Sequence, residues 1–373
     1  MKKKRKLNKK AIIIVSIILI ILLIEIINPI KLYNKHQLRE LNYSDSSIDT
    51  ILENNLKDEV LEIEYNKTLD TIFSSSDFNK NNYSIYKDLE YYDLENYTKN
   101  INELIKKGYV ATDINYILRS ATNESLKEFL DHEYVSDISS FLQYDFAILE
   151  NYDRYVAYKE ENNIENELVV VYVNIGLDRD FYTDPETVTT FSTDMLVNKY
   201  NGLEEDFVPD DLISVPEDYA IDSEQQLNET VFEAFKKMSD DCKSNTSYKL
   251  LVRSGYRSYE SQQETYDLYF DAYGKNYAES YVAHPGFSEH QTGLAIDIKA
   301  ESSNVFAGTE ESIWLMENAY RYGFILRYKK EYENITGISY ESWHYRYVGE
   351  EIAKKIYESD MTYEEYYIRF LNK

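Results

Sequence analysis

Ser288-Glu289-His290-Gln291-Thr292-Gly293-Leu294-Ala295-Ile296-Asp297 is the stretch on which the reading of this chain turns. It puts an imidazole just ahead of an apolar run and a carboxylate inside that run, and Leu294 to Lys299 reads as a strand. Upstream, Tyr248 to Arg253 reads as another strand ending at Ser254-Gly255, and Ser258 to Tyr273 as a helix closed by Gly274. Earlier still, Val231, Phe235 and Met238 fall on one helical face of Glu229 to Met238. Leu168 to Ile175 is β-branched and apolar and is expected to be a strand. Downstream come a helix from Glu311 to Tyr322 ended by Gly323, strands at Phe324 to Tyr328 and His344 to Val348, and helices at Glu350 to Tyr357 and Thr362 to Leu371. The last opens with Thr362 and Glu365 at capping-box spacing. Strands and helices mix without a regular βαβ period, so the fold class is α+β.

The chain has five histidines, His36, His132, His284, His290 and His344. The last two lie in segments that also carry carboxylates: His290 with Asp297, and His344 in Glu341-Ser342-Trp343-His344. Two neutral imidazoles and one carboxylate suit a three-ligand catalytic zinc that leaves its fourth position to water. Glu341 is close enough in sequence to His344 to serve as a general base without being a ligand. A histidine beside a strand is more often structural, so spacing alone leaves both readings open. Gly293 fits a tight turn or a close backbone approach. Trp343 reads as a packing residue that orients His344, His284 as a loop residue, and His36 and His132 as surface residues.

Three blocks taken together, Ser254-Gly255-Tyr256-Arg257-Ser258, Ser288-x-His290-x-x-Gly293-x-Ala295-x-Asp297 and Glu341-x-Trp343-His344, resemble the signature of the VanY-type D-alanyl-D-alanine carboxypeptidases. These are zinc peptidases that share a fold with the Hedgehog signalling domain. The resemblance covers roughly residues 168 to 358, with a looser likeness of the front half to some Gram-positive members. It implies a Hedgehog/DD-peptidase-like domain in which His290, Asp297 and His344 bind zinc and Glu341 is the general base. It further implies that Arg257 stabilises the oxyanion, and that Gln262 and Ser288 help hold the terminal residue of the substrate and its carboxylate. The competing structural readings are a salt bridge for Arg257 and a solvated helix face for Gln262. The implied substrates are peptidoglycan stem peptides, cut to remove the C-terminal D-alanine. An LD-carboxypeptidase, a cross-link endopeptidase and a non-catalytic wall-binding protein are the alternatives, and an intact Glu341 and Arg257 argue against the last.

Bulk composition narrows the partners. With 40 basic and 67 acidic residues the chain carries a net charge of −27, which excludes an extended phosphate-neutralising face and hence nucleic acid. Its single cysteine, Cys242, rules out an intramolecular disulfide and a multi-cysteine metal cage. Nothing in the sequence speaks to oligomeric state.

The N-terminus opens with Lys2, Lys3, Lys4, Arg5, Lys6, Lys9 and Lys10, followed by an apolar run from Ala11 to Ile24, then Glu25, Ile26 and Ile27. A spanning helix needs about 20 apolar residues, with about 17 to 25 tolerated. The run reaches that range only if Glu25 sits at the interface. No Ala-x-Ala site or lipidation cysteine follows, which favours an uncleaved anchor over a cleaved signal peptide. The expectation is a cytoplasmic basic tail over 1–10, a transmembrane signal anchor over 11–28, and a single-pass cell-membrane protein with its catalytic domain outside.

Between residues 38 and 155 a weak unit recurs. Tyr43 is followed by Ile48, Ile51 and Leu52, and Tyr109 by Ile114, Ile117 and Leu118 at identical spacing. Tyr65 with Leu69, Ile72 and Phe73, and Tyr134 with Ile138, Phe141 and Leu142, repeat it with one residue fewer; a degenerate copy falls near Tyr86. Such periods suggest small stacked helical units, either a stalk or a module that grips wall polymer. The change to polar residues at Tyr158 to Glu167 places the boundary between a helical repeat segment, 29–165, and the peptidase-like domain, 166–373.

Overall fold

The computed structural model describes residues 9–372, excluding the side chains of residues 9–12 and 18–28. Contacts divide the chain into two compact units, residues 1–143 with 148–150, and residues 144–147 with 151–373.

The first unit is helical. Its leading helix, Lys9–Glu40, contains the apolar run but continues through Pro29. Among the described residues no helix is long and apolar enough to cross a membrane. At 1.5 Å per residue the stretch Ala11 to Ile24 reaches about 21 Å, short of a hydrocarbon core of about 30 Å, and Glu25 and then Lys31 and Lys35 interrupt any extension. The transmembrane anchor expected over 11–28, and with it the single-pass membrane location and extracellular catalytic domain, is overturned. The basic tail expected over 1–10 lies, as far as residue 8, outside the described residues.

Behind that helix the tyrosine units fold as short helices. Tyr43 precedes Asp45–Glu53, capped by Ser44, which accepts from the Ser47 amide, and Tyr109 precedes Ala111–Ser120. Ile48, Ile51, Ile114, Ile117 and Leu118 are buried, as the helical spacing requires. In the copies one residue shorter, Tyr65 and Tyr134 are exposed. Each leans on the buried tyrosine of the copy before it, with ring centroids 5.4 Å apart for Tyr43–Tyr65 and 4.9 Å for Tyr109–Tyr134.

The second unit is mixed helix and sheet. Residues Leu168 to Ile175, expected to form a strand, instead belong to helix α1 (Asn166–Ile175). A short apolar run bounded by glycine is compatible with either element when all its sides are covered. Here Val169, Val170, Val171, Val173 and Ile175 are all buried, and Gly176 ends the helix with φ 106°. Residues 151–165 group with this unit, because Asn151 and Tyr155 both donate to the Asn174 carboxamide oxygen on α1, at 2.9 and 2.7 Å.

Besides two small two-stranded pairings, the main sheet has four strands, β1 (Leu250–Ser254), β2 (Ala295–Ala300), β3 (Phe324–Leu326) and β4 (His344–Tyr347), in the order β1-β2-β4-β3, each pair antiparallel. Helix α2 (Glu229–Thr246) is capped by Asn228, whose side chain accepts from the amides of Thr230 and Val231. Its Val231, Phe235 and Met238 pack in one core with Leu250 and Val252 of β1, Ile296 and Ile298 of β2, Phe324 of β3 and Tyr345 of β4. Strand alternation then sends Asp297 and His344 to the opposite face, and the β2–β4 register sets the two directly across from each other. Helices α3 (Tyr259–Tyr273) and α4 (Lys275–Tyr281) follow β1, α5 (Glu310–Asn318) precedes β3, and α6 (Glu350–Ser359) and α7 (Tyr363–Tyr366) follow β4, α7 running on as a π-helical turn over Tyr367–Leu371. The Thr362–Glu365 capping box is present.

Candidate active site

On the face of the sheet away from α2, the motif residues meet in a cavity of about 290 Å³ whose walls include Arg257, Gln262, Ser288, His290, Asp297, Glu341 and His344. His290 is carried on a one-turn 3-10 helix, Glu289–Thr292, capped by the Ser288 hydroxyl. Gly293 ends that turn at φ 68°, where a Cβ would stand 2.8 Å from Leu212, so the turn feeds directly into β2 only with glycine there. Gly255 permits a second close approach: a Cβ there would lie 2.1 Å from the carbonyl oxygen of Gln226. The Gly255 carbonyl is thereby placed 2.7 Å from His290 Nδ1.

That contact fixes the tautomer. A carbonyl only accepts, so Nδ1 of His290 carries the proton and Nε2 presents its lone pair toward Asp297 Oδ1, 3.5 Å away. For His344 the nitrogens exchange roles: Nε2 faces the Glu289 carboxylate at 3.3 Å, and Nδ1 lies 3.1 Å from Asp297 Oδ1. The two rings are nearly perpendicular, with centroids 5.0 Å apart. One atom from each of His290, Asp297 and His344 falls within 4.8 Å of the others. Two nitrogens and one carboxylate oxygen converge as a cation would need, and each imidazole is held from behind by an acceptor.

Glu341 Oε2 is 3.8 Å from His344 Nδ1, beside the cluster. Burial, reinforced by Asp297 and opposed by His344, pushes the pKa of Glu341 up to about 8. Burial also opposes charge on His344, but its hydrogen bonds to Asp297 and Glu289 outweigh this and push its pKa up to about 9. His290 moves the other way, lowered by burial and by the Arg257 guanidinium. Although burial opposes its charge, Asp297 is held well below the usual carboxylate range by the two imidazoles. The surplus of carboxylates that favours a proton on His344 also favours a divalent cation among the same donors.

The Arg257 guanidinium lies 4.0 Å from Asp297 and donates to Gln262 Oε1 at 2.7 Å and to the Ser254 hydroxyl at 3.0 Å. Gln262 does not lie on a solvated face: it is 1% exposed, and its amide donates to the Ala283 carbonyl. Ser288 lines the cavity and caps the turn of His290. His284 pairs with Glu279 at 2.9 Å and stacks on Tyr182 at 3.9 Å. His36 and His132 are exposed. The sequence reading missed the groups behind the cluster. Glu289 meets Arg327 at 2.8 Å and Arg346 at 3.2 Å, and Tyr328 packs its ring 4.8 Å from that of His344. Glu289 adjoins His290 in the motif, a signal that could have been read; Arg327, just past the end of β3, and Arg346, within β4, carry none.

A family model described as VanY, D-alanyl-D-alanine carboxypeptidase, matches residues 224–350. The bifunctional D-Ala-D-Ala dipeptidase and D-Ala-D-Ala carboxypeptidase VanXYC of Enterococcus gallinarum is 33% identical over 183 residues, spanning 47% of this chain and 94% of that protein. The chain belongs to the VanY family. A D-alanyl-D-alanine carboxypeptidase of Enterococcus faecalis is 41% identical over 166 residues, covering 41% of this chain and 61% of the relative. Of three curated relatives the chain spans 66%, 61% and 45% of the length, less than two thirds of each. A solved VanY D,D-pentapeptidase in complex with Zn(II) is 37% identical, with a TM-score of 0.42, covering 47% of this chain and 98% of that one. The VanY match contains all of β1 to β4 and every cavity residue named above, and it stops at the start of α6.

Proposed function

We propose that this VanY-family chain is a zinc carboxypeptidase that removes the C-terminal D-alanine from peptidoglycan stem peptides, with a catalytic domain over residues 166–373, which residues 151–165 join in the second unit, and the helical repeats before them as a spacer. The observation that carries this reading is the convergence of His290 Nε2, Asp297 Oδ1 and His344 Nδ1 beside Glu341 and Arg257 in one cavity. Two imidazoles that offer lone pairs and one ionised carboxylate fit zinc, and three protein ligands leave one position open. When bound there, zinc supplies Lewis acidity toward water and toward the scissile carbonyl.

The remaining roles belong to the chain's own side chains. Glu341 stands beside the donor set, where its carboxylate takes the proton of the attacking water and passes it to the amine that leaves when the peptide C–N bond breaks. Arg257, aimed by Gln262 and Ser254, offers N–H donors to the charge that grows on the carbonyl oxygen. Gly255 and Glu289 orient the two imidazoles. Ser288 holds the turn of His290 and faces the cavity, where its hydroxyl is available to a substrate carboxylate. The −27 charge leaves nucleic acid out of the reading.

The test is mass analysis of muropeptides after incubation with the zinc-loaded chain, offering pentapeptide and tetrapeptide stems separately. Loss of one alanine from the pentapeptide supports the D-Ala-D-Ala reading. Loss from the tetrapeptide alone makes the enzyme an LD-carboxypeptidase, cleavage of cross-linked dimers alone an endopeptidase, and unchanged masses a wall-binding protein.

A further inference from the structure

Behind His344 lies a fully buried ionic chain that leaves the cavity and ends in α7. Glu289 receives His344 Nε2 on Oε2 (3.3 Å) and, on Oε1, Arg327 Nε (2.8 Å) and Arg346 Nη1 (3.2 Å). Arg327 turns the other edge of its guanidinium to Glu364, donating to both carboxylate oxygens at 2.9 and 2.5 Å. The side chains of Arg327, Arg346, Glu289 and Glu364 are 0% exposed. Glu364 is held independently of the arginine: Asn198 donates to Oε1 at 3.3 Å, and the capping box fixes the first turn of α7. The Tyr363 ring covers both guanidiniums at 5.6 Å.

We infer that Glu364, lying in α7 beyond the segment matched to the VanY family, is a positioning residue for the metal site: through Arg327 and Glu289 it sets the orientation of His344 and hence the affinity for zinc. The inference rests on the zinc reading above. Its physical basis is charge sharing. In a low-dielectric interior a guanidinium keeps its carboxylate partners or forces neighbours to compensate. With two carboxylates on opposite edges, Arg327 makes a single bond to Glu289 and leaves Oε2 of that carboxylate to the imidazole. Without the charge of Glu364, Arg327 has only Glu289 to neutralise it. It draws that carboxylate in as a two-oxygen partner, and Oε2 leaves His344 Nε2. An imidazole that loses its rear acceptor loses both orientation and basicity as a ligand.

The experiment measures the zinc dissociation constant by competition with a chromogenic chelator in the full chain, for wild type, Glu289→Gln, Glu364→Gln and the double variant. Glu289→Gln is expected to weaken zinc about 10- to 100-fold, the range for lost partners of ligating histidines. Glu364→Gln should weaken it several-fold, and the double variant should be no weaker than Glu289→Gln alone, because Glu364 acts only through Glu289. A Glu364→Gln protein that melts earlier yet binds zinc as wild type does would give Glu364 a purely structural role and overturn the inference, as would effects that multiply in the double variant. If Glu364→Gln does not fold, Glu364→Asp, which keeps the charge but retracts it, should lie between wild type and Glu289→Gln. Wild-type affinity in that variant overturns the inference equally. A wild type that binds no zinc removes the metal reading itself, and the coupling with it.

Discussion

Gln262 holds Arg257 in place: its Oε1 accepts from Arg257 Nη1 at 2.7 Å while its Nε2 donates to the Ala283 carbonyl at the same distance. Both ends of the carboxamide are engaged, so Gln262 works as a bracket between α3 and the loop after α4, with the guanidinium as its load. We expect Gln262→Ala to lower kcat by about 10-fold with a smaller change in KM, since in the proposed mechanism what is lost is the aim of a group that acts in the transition state. Arg257→Ala should cost more, about 10²- to 10³-fold in kcat, and Arg257→Lys should not restore it, because an ammonium cannot reach Gln262 and Ser254 with one planar fork. Steady-state kinetics on a pentapeptide checks both; equal rises in KM with unchanged kcat would instead make the pair a substrate anchor.

Glu341 stands beside the metal donors without joining them. Glu341→Gln should therefore retain zinc at one equivalent while losing about 10²- to 10⁴-fold in kcat, the usual contribution of a positioned base. Metal analysis and turnover on the same preparation decide it. Loss of zinc in this variant would move Glu341 into the ligand set.

Gly255 links two tight contacts. Its missing Cβ admits the Gln226 carbonyl, which accepts from the Tyr256 amide at 2.7 Å, and its own carbonyl anchors His290. Gly255→Ala must push β1 off that carbonyl and withdraw the His290 anchor. The expected result is about 10-fold weaker zinc binding, read by chelator competition, in a protein whose far-ultraviolet circular dichroism is unchanged.

Lys199 gives the fold a pH dependence. It is 4% exposed and donates to the carbonyls of Glu279 and Gly337 at 2.6 and 2.7 Å, and burial lowers its pKa to about 8. The unfolded chain keeps this proton up to the ordinary value of 10.5, so between about 8 and 10.5 the unfolded state binds more protons and stability rises with pH. Below pH 8 the full cost of the buried charge is present, on the order of 3 kcal/mol. Lys199→Met removes this titration. Urea unfolding at pH 7 and pH 9.5 should show wild type gaining on the variant by about 2 kcal/mol at the higher pH; a constant difference would mean that the charge is fully compensated where it lies.

The candidate catalytic face was legible because its residues lie close together in short motifs. His290 and Asp297 lie within eight positions of one turn and strand, and Glu341 and His344 within four, so residue type and spacing carry the chemistry. The sheet was legible too: β2 and β4 begin within a residue of where the apolar alternation places them. What lies behind the site was not. Arg327, Arg346 and Glu364, from the loop after β3, from β4 and from α7, meet only through tertiary packing, and a lone charged residue with no motif around it reads as a surface position. Leu168 to Ile175 reads as a strand yet folds as a helix for the opposite reason: with buried valines at consecutive positions, hydrophobic period no longer separates helix from strand. At the N-terminus the basic residues and the apolar run match an anchor by residue type, but Glu25 cuts the run below spanning length.

The most direct test of the zinc carboxypeptidase account is metal removal and return. The chain is stripped with a chelator, freed of it, and assayed for D-alanine released from a pentapeptide stem as zinc is added back, with Glu341→Gln alongside. The account predicts no release from the stripped protein, release that rises to a plateau at one zinc per chain, and none at any zinc level in the variant. Release by the stripped protein, or equal release by Glu341→Gln, would contradict it.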